Sequence, residues 1–262
     1  MGEQSSHLII VYRASFYIEN SNPKAEIDTA ELALIIISVD FRGGGPIPDI
    51  TLWGRQSSFN VQKVQWVLDI LNLPHRHIEL GGRFGGLETA EFRALNPHQQ
   101  VPVLQDGELV IWESHAIVRY LAAKYGTTTL WNELPEKRSY SDRWIDWAAT
   151  RLQPDFMALF WGYYRTPEPT RDKTAIELAI QKCAQDYRLL NSHLVGRDFL
   201  CGESLTLADI PAGATLYRYL TMGIEVARPP HVIAWYDRLC ETEEYRKQIM
   251  IPYNELFGRS IF

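Results

Sequence analysis

The residues that could do chemistry fall in two stretches. In GRQSSFNV, Gly54 to Val61, two serines stand where a loop gives way to a helix. A hydroxyl at such a junction either caps the helix or meets an anion that also feels the free N–H groups of the first turn. Ser57 and Ser58 both qualify, and Asn60 is a second possible donor. In QQVPVLQDGELVIWES, Gln99 to Ser114, a proline stands where a strand begins and a Glu-Ser pair follows that strand's partner. Pro102 cannot donate to a ladder, so Val101 and Pro102 mark a strand end that faces open space or a ligand. On local grounds alone, Ser114 reads as a helix cap and Glu113 as a solvated charge.

These residues need elements to hold them. VPVLQ and ELVIW flank Asp106-Gly107, a two-residue hairpin signal in which both positions take φ > 0. SHAIVRYLAAKYG then reads as an amphipathic helix capped by Ser114 and stopped at Gly126. Upstream, ITLW from Ile50 is a strand, and HRHIEL is a second one. Between them NVQKVQWVLDILNLP is a helix with Val61, Val64, Val67, Leu68 and Leu71 on one face. Strand, helix, strand implies a parallel pair with a right-handed crossover. The order is therefore βαβ then ββα, a four-stranded mixed sheet with helices. Beyond Thr127 to Pro135 the strand signals vanish. Glu136 to Trp161 and Thr170 to Val195 read as long helices. TLAD, Thr206 to Asp209, is an acidic capping box with Leu205 and Ile210 as its staple.

The fold class expected is α/β plus all-α, with residues 49–127 as the first domain and 135–262 as an all-helical second. Residues 1–48 form an N-terminal extension that ends in the breaker cluster RGGGPIP. It reads either as disordered or as a strand or helix docked on the body.

The chain has 262 residues, 46% of them hydrophobic, and can bury a sizeable core. A net charge of -6 argues against a nucleic-acid surface. The longest apolar run, Leu32 to Val39, is too short to cross a bilayer, which takes about 20 residues. Cys183, Cys201 and Cys240 have neither disulfide-framework nor zinc spacing, so no metal is expected and a reducing cytoplasm fits.

A βαβ-ββα unit with valine-proline before its hairpin, Glu-Ser after it, and a helical domain with a Thr-x-x-Asp box resembles the cytosolic glutathione S-transferases. The likeness covers about Ile50 to Pro252. It runs through N-P-x-x-x-V-P-V-L (Asn96 to Leu104), E-S-x-A-I-x-R-Y-L (Glu113 to Leu121) and S-x-N-V (Ser58 to Val61). The last is similar to the serine-type loop of plant phi and several bacterial transferases. With GGRFGG and RTPEPTRD, the chain resembles bacterial members that act on small halogenated acids.

The resemblance implies a thioredoxin-like first domain, glutathione as co-substrate, a small electrophile as second substrate, and a homodimer. It favours Ser58 as the donor to the glutathione thiolate, with Asn60 beside it. It implies a cis Val101-Pro102 bond that leaves the Val101 backbone free to pair with the cysteinyl residue, with Gln100 adjoining. Glu113 would meet the γ-glutamyl ammonium, Ser114 its carboxylate, and Arg83 of GGRFGG the glycine carboxylate. The family's glycine in N-P-x-G-x-V-P is missing, since His98, Gln99 and Gln100 stand there, so a rearranged loop is expected. Trp144, Trp147, Arg151, Trp161, Tyr164 and Arg165 are candidates for the electrophile pocket. Inward arginines would favour an anionic electrophile. No cysteine lies in the first domain, which argues against a cysteine-dependent mixed disulfide. The rivals are a glutathione-dependent peroxidase or disulfide reductase, and a non-catalytic ligand-binding or scaffolding protein with the same fold.

Overall fold

A computed structural model describes residues 49–126 and 129–259, so the extension over residues 1–48 lies outside the described residues. The first half is built in the order β1 (Ile50–Trp53), α1 (Phe59–Ile70), β2 (Arg76–Ile78), α2 (Ala90–Leu95), β3 (Val103–Asp106), β4 (Leu109–Trp112) and α3 (Ser114–Tyr125). The sheet order is β2-β1-β3-β4, with β1 parallel to β2 and antiparallel to β3, and β3 antiparallel to β4. This is the mixed sheet expected from the order of strand and helix signals. The short helix α2 is an addition; Thr89 caps it, its Oγ1 accepting from Phe92 N at 3.2 Å.

Two local expectations shift by one residue. Asp106 pairs with Leu109 at the end of the ladder, so the hairpin loop is Gly107-Glu108, with left-handed φ at Gly107 only. The cause is visible in the Asp106 carboxylate, which accepts from Tyr120, Tyr125 and Lys124 of α3 and so belongs to the strand. Likewise Ser114 is the first residue inside α3, and Glu113 occupies the cap position.

The second half contains α4 (Pro135–Trp147), α5 (Gln153–Leu159), α6 (Lys173–His193), α7 (Asp209–Thr221), α8 (Pro230–Glu241) and α9 (Glu243–Gln248). The rod expected over Glu136 to Trp161 runs from Pro135 to Arg165, with π-helical turns at Ala148–Leu152 and Phe160–Arg165. Pro154 has no N–H to give to the carbonyl one turn back, and the widened turn stands just ahead of it. The capping box holds: Asp209 Oδ2 accepts from Thr206 N at 2.9 Å, and Thr206 Oγ1 accepts from Ala208 N at 3.3 Å. The other carboxylate oxygen of Asp209 takes Leu200 N and Trp235 Nε1, so one buried side chain ties the α6–α7 loop to α8.

Helix α1 departs from the one-faced pattern of its apolar residues. Every residue from Phe59 to Leu68 except Asn60 is buried. Its outer face is not solvated, because α1 packs on α3 within its own half and on α7 and α9 of the other. Gln62, Lys63 and Gln65 are therefore polar groups inside the molecule, and each needs a partner there.

Candidate active site

The turn after β1 must come close to its neighbours. A Cβ on Gly54 would lie 2.5 Å from Val61 Cγ2 and 2.9 Å from Val101 Cβ, at a φ of +143°. Glycine thus lets the loop of residues 54–58 settle against both α1 and the strand end at Val101. Ser58 follows as the cap residue of α1, with φ −81° and ψ 117°, and its side chain makes no capping hydrogen bond. The hydroxyl stays available at the helix N-terminus, where free N–H groups favour an anion. Ser57 differs in its backbone role, since its carbonyl accepts from Arg218 Nη2 at 2.7 Å.

The second loop brings Val101 to the same place. The Val101-Pro102 bond is cis, and the β1–β3 ladder ends at the Trp53–Val103 pair. Asn96, buried, organises the approach: its Nδ2 donates to Gln100 O and its Oδ1 accepts from His98 N, both at 2.9 Å. Gln99 stands where the family has glycine and keeps a left-handed φ of +54°. The expected rearrangement is therefore absent at this residue; the backbone keeps a glycine-like conformation and a glutamine bears the strain.

Around the start of α3 the side chains form a buried network. Glu113 has φ 72° and ψ 111°, outside the regions ordinary L-residues adopt, and such outliers cluster at ligand sites. Ser114 Oγ is 3.5 Å from Asn60 Oδ1. The same oxygen accepts from Lys63 Nζ at 2.9 Å, and Lys63 also reaches His115 Nε2 at 2.9 Å and Gln153 Oε1 at 2.7 Å. Burial pushes the Lys63 ammonium down to about 7, against the opposing pull of Glu113.

Ser57, Ser58, Asn60, Gln99, Gln100 and Val101 line one wall of a cleft of about 370 Å³. Phe160, Trp161, Arg165 and Arg218 line the other, and Arg55 also faces it. The second π-helical turn thus supplies three of the opposing side chains. Ser114 connects to the cleft through Asn60, whereas Glu113 does not line it and bears on Lys63 by its charge. Arg83 lies elsewhere: it is 63% exposed and 3.1 Å from Glu255.

The candidates for the electrophile pocket divide. Trp161 and Arg165 face the cleft, with the Arg165 guanidinium 4.1 Å from the Trp161 ring centroid. Tyr164 stacks between Phe160 and Tyr253, and Trp144 packs on Trp147 and His193. Arg151 is exposed and lines a separate groove with Lys182. Sequence reasoning missed Lys63, Arg55 and Arg218. A lysine inside the run NVQKVQWVL, one turn after Asn60, was a signal for the first; nothing local marks the others.

Residues 52–129 match the family model for the glutathione S-transferase N-terminal domain, and 152–243 that for its C-terminal domain. The chain is 38% identical over 205 residues to glutathione S-transferase GstB of Escherichia coli strain K12, covering 78% of this chain and 99% of the relative. It is 41% identical to the theta class glutathione S-transferase of Xanthomonas axonopodis pv. citri, solved with glutathione bound, with a TM-score of 0.75 over 78% of this chain and 99% of that one. Glutathione transferase F2 of Populus trichocarpa, at 24% identity and a TM-score of 0.69 over 77% of this chain and 97% of that one, shares the fold. With that extent of identity along the whole length of two relatives, the chain belongs to the glutathione S-transferase family.

Proposed function

We propose that this chain binds glutathione along Val101 and the start of α3, activates its thiol with Ser58, and transfers it to a small anionic electrophile such as a halogenated acid. The observation that carries the reading is the Ser58 hydroxyl. It is placed at a helix N-terminus, is not used for capping, and faces a cleft whose other edge is the open strand end at Val101. A thiolate there accepts one side-chain hydrogen bond, with Asn60 as the second donor. Glu113 is assigned to the γ-glutamyl ammonium, Ser114 to its carboxylate, and Gln100 to the cysteinyl-glycine part. Arg83 could reach the glycine carboxylate only by leaving Glu255.

In the transfer the thiolate sulfur forms a bond to the electrophilic carbon as the carbon–halogen bond breaks. Halide leaves with the electron pair, and the thiol proton goes to solvent. The anionic class rests on Arg55, Arg165 and Arg218, which line the cleft. Burial lowers the pKa of each, Arg218 to about 10, and Arg55 further lowers that of Arg165. Three guanidiniums held that way favour a carboxylate.

A homodimer fits Leu109 and Trp112, 47% and 37% exposed on the edge strand β4, because an apolar strand edge invites a partner. A cytoplasmic setting fits the three free cysteines.

The test is calorimetry with glutathione followed by product analysis. Binding with release of bromide from bromoacetate supports the proposal. Turnover of a hydroperoxide with no bromide release assigns a peroxidase instead, and no binding at about millimolar glutathione leaves a non-catalytic protein.

A further inference from the structure

Lys63 is fully buried and has no ion-pair partner among the described residues. Its three N–H groups all go to neutral acceptors, Asn60 Oδ1, His115 Nε2 and Gln153 Oε1. An ammonium has donors and no acceptor, so these contacts fix the chemistry around it. Asn60 must present its oxygen to Lys63, which leaves Nδ2 for the cleft that Asn60 lines. Gln153 must present its oxygen too, which ties α5 to α1. His115 must be unprotonated at Nε2, and burial, then Lys63, then Arg119 hold its pKa down at about 2.

Among the described residues, the titratable groups that bear on Lys63 are His115 and, at longer range, Glu113. Its other neighbours are neutral: Asn60, Gln153 and the Phe59 ring, whose centroid is 4.8 Å from Nζ. A buried cation without a paired anion is costly, and the cost falls when an anion arrives.

We propose that Lys63 is a positioning residue for glutathione, turning the Asn60 amide nitrogen toward the bound tripeptide and drawing its anionic groups to the gap between the starts of α1 and α3. The inference rests on the glutathione reading above. Ligand and proton are then linked: a bound anion strengthens the hold of Lys63 on its proton, and loss of that proton weakens binding. Burial places this proton loss near pH 7 in the free protein. S-methylglutathione removes the thiol from the titration, and its ammonium, which titrates alike with every variant, cancels when parent and variant curves are compared.

The experiment is calorimetry of S-methylglutathione with the full chain from about pH 6 to about pH 9. Affinity of the parent is expected to fall as pH rises past neutrality. Lys63→Met should bind about tenfold or more weakly at the acid end, the loss of one hydrogen bond from Asn60 to an anionic group, and lack the step near neutrality that the parent shows. Lys63→Arg, which keeps a charge throughout this range, should also lose the step and serves if the methionine variant does not fold. Because Lys63 acts through Asn60, Lys63→Met should cost much less affinity in an Asn60→Ala background than in the parent. A flat curve for the parent, parent-like affinity in Lys63→Met, or additive losses in the double variant overturns the proposal while glutathione binding stands. A parent that binds neither glutathione nor S-methylglutathione overturns the glutathione reading, and this inference with it.

Discussion

Arg218 Nη2 of α7 donates to the carbonyl oxygen of Ser57 at 2.7 Å and to Gln62 Oε1 at 3.2 Å. The guanidinium is fully buried, with the Phe160 ring at 5.5 Å and the Tyr253 ring at 5.2 Å. The helical half thereby fixes the residue next to the candidate catalytic serine. Arg218→Met should leave both acceptors buried without a donor, at a cost of about 3 kcal/mol. For a chain of this size that is roughly 6–12 °C in Tm, measurable by calorimetry. An unchanged Tm would mean that the loop holds itself.

Ser58→Ala tests the activation step. A free thiol has a pKa near 8.5, and a drop of about two units needs roughly 2.7 kcal/mol of preference for the thiolate. A hydrogen bond to a charged group contributes about 1.5–3 kcal/mol, and a helix N-terminus about 0.3–1. The hydroxyl is the larger of the two. Its removal should move the acidic limb of the pH–rate profile up by about a unit or more. Thiolate absorbance of the glutathione complex reads this directly. An unchanged titration in Ser58→Ala with a shifted one in Ser57→Ala would move the assignment to Ser57.

Gln99→Gly should stabilise the protein. The left-handed φ of +54° at Gln99 costs a non-glycine residue about 1–2 kcal/mol, part of which glycine returns as unfolded-chain entropy. A net gain of about 0.5–1 kcal/mol is expected in urea melts. A loss of stability would show that side-chain contacts of Gln99 outweigh the backbone term.

Lys63 also sets a pH dependence of stability. Its pKa falls from 10.5 to about 7 on burial, so between those values the unfolded chain binds a proton that the folded chain lacks. Unfolding free energy therefore rises with pH, by up to about 1.4 kcal/mol per unit. Lys63→Met removes that slope, and the parent should gain on the variant from about pH 7 to about pH 9 in urea melts without ligand. Above that window the buried Tyr187 and Tyr245, whose pKa values burial raises, reverse the trend. Parallel curves for the two proteins would place the Lys63 proton elsewhere.

The order of elements was legible because each sheet strand and long helix carries its own period and stop. That Ser58, Asn60 and Val101 would be neighbours on one cleft was legible for the same reason, since loop–helix junctions and a proline at a strand start are local marks. What was hidden is non-local. Lys63 meets His115 and Gln153 across 52 and 90 residues, and Arg218 meets Ser57 across 161. No pattern within α1 distinguishes a lysine that reaches water from one enclosed by a second domain. The hairpin moved by one residue because three side chains of α3 claim the Asp106 carboxylate, a tertiary demand that turn chemistry does not encode.

The enclosure of α1 decides which parts of this chain are free to change. On the side facing α7 and α9, a methyl on Gly213 would come within 3.2 Å of the Trp66 ring, and Gln248 holds Asp69 at 2.7 Å. Arg218 answers Gln62 on the same side. A helical half from another relative would have to bring complementary residues at all three places before the hybrid could close. The π-helical wall differs at Trp161, which stands 39% exposed with its ring against the Arg165 guanidinium. Diversification toward new electrophiles can therefore proceed along that wall, while the α7 face acts as a lock that keeps each first domain with its own second.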